Sequence, residues 1–119
     1  MGYERKLYVV SEHTESRSNE FHWAEDIAMF DVSKCDTLYD VKWEDANCYL
    51  FDIDGNTHIT EDRYGERIKS ADPEEVAKCL EKAWKKYHYW RAKTAASLIR
   101  NIVKDNDTRD NIRVYSYGY

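Results

Sequence analysis

The chain has 119 residues, 42% of them apolar and 34% charged, with one proline, four glycines and a net charge of −5. That length and composition fit a single folded domain over residues 1–119 with a modest core of its own, and exclude a disordered linker. The first residues, "MGYERKLYVV", lack the long apolar run of a signal peptide or membrane span, so a cytoplasmic protein with no membrane partner is expected.

The first element, "RKLYVVS", alternates Leu7 and Val9 with Tyr8 and Val10 and reads as a strand. A polar loop, "EHTESRSNE", follows. "WAEDIAMFDVSK" places Ile27, Met29 and Asp31 on one parity and Ala28, Phe30 and Val32 on the other, a second strand whose first half could also form a short helix. "CDTLYDVKWEDAN" reads as an acidic, irregular connection. In "NCYLFDIDGNTHITED", Asp54-Gly55 supplies the positive φ of a tight hairpin turn. With that loop Leu50 faces Ile59 and Phe51 faces His58, and Cys48, Leu50 and Ile59 share a core side.

"SADPEEV" opens a helix. Asp72 is the N-cap, Pro73 suits the first helical position, and Glu75 stands where a capping box needs it. Val76, Leu80, Ala83, Tyr87 and Trp90 then recur at helical spacing, a stripe expected to pack into the core, with Leu98 and Ile102 continuing it nearly in phase. No glycine or proline interrupts Glu74 to Lys104, so one long helix over 73–104, or two helices broken near His88 to Lys93, is expected. "NIRVYSYGY" closes the chain as a strand with Ile112 and Val114 inward. Strands, then helix, then one strand predict an α+β fold: an antiparallel sheet of four to five strands packed against one long or two shorter helices from the C-terminal half.

Charge is unevenly placed. Residues 1–77 hold 19 acidic and 8 basic residues; residues 78–104 hold 8 basic residues and one acidic, Glu81. Within that second segment Lys78, Lys82, Lys86, Tyr89, Lys93, Arg100 and Lys104 read as one side of a helix. Lysines flanked by aromatic rings are what phosphate binding and base stacking require, so Lys82, Lys86, Tyr89 and Lys93 are the candidate ligand site. The whole-chain acidity speaks against duplex DNA and favours a small anionic ligand, a local RNA contact or an acidic protein patch. The acidic part has a reading of its own: a dense carboxylate surface can imitate a phosphate backbone and enter the nucleic-acid-binding cleft of another protein, with Glu44, Asp45, Glu61 and Asp62 as the candidate partner-binding residues. Self-association would set the basic ridge of one copy against the acidic side of another, giving a homodimer.

Several chemistries lack their residues. Cys35, Cys48 and Cys79 form no CxxC pair and read as free, buried thiols. His13, His22, His58 and His88 fall in separate elements, and no HExxH, GxSxG or phosphate loop is present. Asp52, Asp54 and Asn56 mimic the start of a calcium loop, but Thr57 stands where glycine is required and Arg63 where the bidentate glutamate belongs. No catalytic residue, metal site or cofactor is therefore expected, and the chain reads as a binding protein rather than an enzyme, with a small phosphoester hydrolase as the rival class.

The two ends, "MGYERKLYVV" and "YSYGY", together with "DIDGNT" and the "YGE" of Tyr64 to Glu66, resemble a group of short proteins of phages and prophages. That resemblance implies expression in an infected bacterium and a role accessory to the virion. Small phage proteins of this kind include anti-CRISPR inhibitors and sponges for defence-signalling nucleotides. The expectation is an inhibitor that binds a host protein handling nucleic acid, with a nucleotide sponge or a nucleic-acid-binding module as alternatives.

Overall fold

The structure, a computed structural model, describes residues 5–14, 22–32, 36–46, 48–50, 59–105 and 111–118. Strands β1 (Arg5–Thr14) and β2 (His22–Asp31) pair antiparallel from Lys6 opposite Asp31 to Thr14 opposite His22. Val9 lies opposite Ala28 but Val10 opposite Asp26, so Ile27 is the extra residue of a bulge. The second strand is extended throughout; no part of it is helical. Strands β3 (Glu44–Asp45), β4 (Tyr49–Leu50), β5 (Lys69–Ala71) and β6 (Ile112–Gly118) complete a sheet of order β3-β5-β6-β1-β2-β4. The first five run antiparallel to their neighbours, and β4 joins the edge of β2 in parallel at Trp23 and Ala24. The expected α+β fold is the one adopted.

The sheet buries both faces. On one, Leu7, Val9, Ala71, Ile112 and Val114 meet the helices; Ala28 and Phe30 pack there too, while Ile27 and Met29 are 45% and 44% exposed. Ile112 and Val114 point inward as their alternation predicts. On the other face Val10 and Tyr115 pack with Ala46, Cys48, Leu50 and Ile68, and Ile59 borders them. The predicted pairing of Leu50 with Ile59 forms, each donating its N–H to the other's carbonyl at 3.0 Å. The Asp54-Gly55 turn, with Phe51 and His58, lies outside the described residues, as does Cys35; Cys48 and Cys79 are free and buried.

The connection expected to be irregular is ordered by side-chain capping. A 3-10 helix, Asp36–Asp40, buries Leu38 and is pinned to the first helix by the Thr37 hydroxyl donating to the Cys79 carbonyl at 2.7 Å. Trp43 Nε1 donates to the Leu38 carbonyl at 2.9 Å. β3 and β5 escape a sequence reading because two or three residues are too few to show alternation.

Helix α1 (Pro73–Tyr87) begins as its cap residues dictate: the Asp72 carboxylate accepts from the Glu75 N–H at 3.2 Å, and Pro73 takes the first position. The other half of the capping box is diverted. Glu75 accepts instead from the Lys42 N–H at 2.9 Å, fastening the chain before β3 to the helix. The helix stops at His88, whose φ of 54° is left-handed and whose N–H donates to the Trp84 carbonyl at 2.8 Å. Helix α2 (Trp90–Asp105) starts two residues later. Of the two expectations, two helices broken at His88 is the one realised.

That break resets the helical phase and corrects the predicted stripe. Val76, Leu80 and Ala83 are fully buried as expected, but Tyr87 and Trp90 are 48% and 62% exposed. The buried face of α2 is Ala92, Ala95, Ala96, Ile99 and Val103, and Leu98 turns outward. Its small residues, with Ala77 and Ala83 of α1, let the two helices lie close together on the sheet.

Candidate functional site

The turn at His88 collects rings and cations at one end of the helical layer. The Trp84 and His88 rings meet edge to face with centroids 5.8 Å apart. Lys93 Nζ lies 4.8 Å from the centre of the Trp84 ring, Lys86 Nζ 5.0 Å from that of Tyr87, and the Arg91 guanidinium 5.5 Å from that of Trp90. At such exposed positions each cation–π contact contributes about 0.5–1 kcal/mol, enough to bias side-chain positions without locking them. All eight basic residues between 78 and 104 are exposed. One of them is neutralised directly: Arg100 donates from Nε to Glu81 at 3.1 Å and with a second N–H to the same oxygen, joining α2 to α1.

The four predicted ligand residues do not form one cluster. Lys82 and Lys86 stand two positions either side of Trp84, and therefore roughly 200° around α1 from it. Lys93 comes from the other helix onto the Trp84 side. Tyr89 is half-buried against the helix-side core, and its carbonyl receives the Ala92 N–H at 3.1 Å. The exposed rings at the corner are instead Trp90 and Tyr87, which sequence reasoning had assigned to the core. The signal that could have found them was present: a segment without glycine or proline still breaks where a residue adopts the left-handed conformation, and His is among the residues enriched there.

Among the described residues, two open grooves lie beside α2. One, of about 210 Å³, is lined by Met29, Phe30 and Asp31 of β2 and by Trp90, Arg91 and Thr94. The other, of about 140 Å³, is lined by Glu74, Arg100, Val103 and Lys104. Among the described residues no three His, Cys, Asp or Glu side chains gather as a metal site would require.

The predicted acidic surface is laced with cations. Asp45 is ion-paired with Lys69 across β3 and β5, and the Lys69 hydrogen bond holds its carboxyl below the usual range. Glu44 lies 3.9 Å from Arg113. Asp62 shapes a turn: its Oδ1 accepts the N–H groups of Tyr64 at 2.8 Å and Glu66 at 3.1 Å, while Gly65 supplies the positive φ of 78°. Glu61 is exposed, and its backbone bridges to Arg67.

A third polar group sits behind the sheet. The Tyr115 hydroxyl donates to Glu12 Oε1 at 3.1 Å and the Cys48 thiol to Oε2 at 3.6 Å. Burial, reinforced by the Glu12 charge, pushes the Cys48 thiol up to about 11 and the Tyr115 phenol well above its usual range. A thiol so raised is protonated at neutral pH and is no nucleophile. This cluster closes the second core.

No family model matches the chain, no curated protein is detectably similar to it, and no solved structure matches its fold. Among the described residues no helix is long and apolar enough to cross a membrane.

Proposed function

We propose that the protein acts by binding, and that its helical layer is the binding face for single-stranded nucleic acid. The observation that carries this is the corner at His88, where exposed Trp90 and Tyr87 stand among exposed lysines and arginines on a segment with eight basic residues and one acidic. Bases stack on exposed rings in a sequence-tolerant way while basic side chains follow the phosphates. At the grooves lined by described residues, size favours a polymer over a nucleotide held alone. Pockets that enclose a small ligand measure about 300–1,000 Å³, whereas the grooves beside α2 hold about 140 and 210 Å³. Whole-chain acidity does not oppose this, because the negative charge lies in other segments.

The resemblance to phage and prophage proteins supplies the wider setting, an accessory protein that withholds nucleic acid from a host defence component. The rival in which Glu44, Asp45, Glu61 and Asp62 enter the cleft of a host effector draws less support, since Asp45, Glu44 and Asp62 already engage neighbours. Fluorescence anisotropy with a labelled single-stranded oligonucleotide tests the proposal. Binding at low salt that weakens steeply as salt rises is the expected result. An unchanged anisotropy at low salt and high protein concentration overturns it.

A further inference from the structure

On the solvent side of the helical layer two contacts cross the seam between α1 and α2. At the His88 end, Lys93 of α2 lies over the Trp84 ring of α1. Three residues back along α1, Glu81 accepts from Arg100 of α2, through Nε at 3.1 Å and through a second N–H to the same oxygen. Beyond that pair lies the groove of Glu74, Arg100, Val103 and Lys104. Lys93, Arg100 and Lys104 fall within about 40° of one another around α2 and mark out about 16 Å of its length. Lys78 and Lys85, three positions before Glu81 and four after it, share its flank of α1. The one acidic residue of the segment is thus set among cations from both helices. A guanidinium fork grips a phosphate as it grips a carboxylate, best with two parallel bonds to two oxygens. Glu81 gives Arg100 one oxygen for both bonds, and each side chain is 43% exposed. An ion pair so open to water is weakly held and exchanges readily.

The geometry points to Arg100 as a phosphate-binding residue of the nucleic-acid face, held in the free protein by Glu81, which a phosphate of the bound strand displaces. This rests on the single-stranded nucleic-acid reading and gives that face a track: bases on the rings at the His88 corner, phosphates on Lys93, Arg100 and Lys104 along the seam. Glu81 is an internal competitor. It stands in for phosphate while the site is empty, and it lowers affinity for every sequence alike, because a phosphate carries no base identity.

The test measures binding of a labelled all-thymine oligonucleotide by wild-type protein, Glu81→Gln, Arg100→Ala and the double variant, each checked for fold by circular dichroism. Glu81→Gln should bind about three- to tenfold more tightly at low salt, with a salt dependence steeper by about one phosphate contact. Made on top of Arg100→Ala, the same substitution should gain less than about twofold. An equal gain in both backgrounds means that Glu81 acts only as a nearby negative charge, and no gain in either means that it does not compete; each overturns the exchange but not the nucleic-acid face. In wild-type protein, NMR follows the Arg100 Nε–H directly, whatever the variants do. Its signal should move as the oligonucleotide is added, and a signal unmoved at saturation overturns the exchange. Failure of both wild-type protein and Glu81→Gln to bind overturns both readings.

Discussion

The two sides of the sheet show how one chain solves burial and charge in different ways. On the helix side the core is almost wholly apolar, with Leu80, Ala83, Ala95 and Ile99 at no exposure, and the surface above it is crowded with cations. On the far side Tyr115 and Cys48 carry polar groups into the core, where Glu12 receives them both, and the nearby edge alternates acid with base. The difference teaches that charge density along a sequence is not surface potential. Strand pairing brings Asp45 against Lys69, residues 24 apart, so a carboxylate meets a cation that the linear order keeps distant. In the helical layer Glu81, the one acidic residue between 78 and 104, pairs with Arg100.

Cavities should separate the two cores most. Leu80→Ala or Ile99→Ala should lose about 2–5 kcal/mol in urea unfolding, because an apolar interior cannot refill the space. A smaller loss would mean that the helical layer is loosely packed. On the outside, reversing Lys78, Lys93 and Lys104 to Glu should weaken oligonucleotide binding by about tenfold or more and flatten its salt dependence, since each phosphate contact contributes to the slope. Reversing Glu44 and Asp45 to Lys should leave binding no weaker; a comparable loss would erase the distinction between the surfaces.

The far-side core should betray itself in alkali. Cys48 and Tyr115 have raised pKa values in the folded chain, so between about pH 9 and 11 the unfolded state has released protons that the folded state retains. Stability is therefore full below pH 9 and falls as pH rises, by about 1–2 kcal/mol for the thiol after solvent screening. Thermal melts across that range should show the fall, and Cys48→Ala should reduce it. Tyr115→Phe, which removes one hydrogen bond, should cost about 1 kcal/mol at neutral pH. The smallest effect belongs to the helix break: His88→Gly relieves a left-handed residue and should raise stability by about 0.5–1 kcal/mol. A loss instead would show that the Trp84–His88 ring contact outweighs the backbone strain.

Much of this molecule follows from local sequence. The alternation of Leu7 and Val9 determines β1, Asp72-Pro73 the start of α1, and the spacing of Val76, Leu80 and Ala83 its buried face. These are near-neighbour properties, set by backbone sterics and by which side of an element is apolar. The density of cations between 78 and 104 is likewise legible before any fold is known. What only the tertiary structure decided is which residues meet. β5 exists because β6 offers an edge and β3 because β5 does, and Glu75 caps Lys42 rather than its own helix because the chain before β3 passes within reach. Trp90 faces solvent because one left-handed residue restarts the phase, and Asp31 joins it in a groove because α2 lies over β2. Such contacts depend on distances between residues far apart in the chain, and periodicity within a single element carries no information about them.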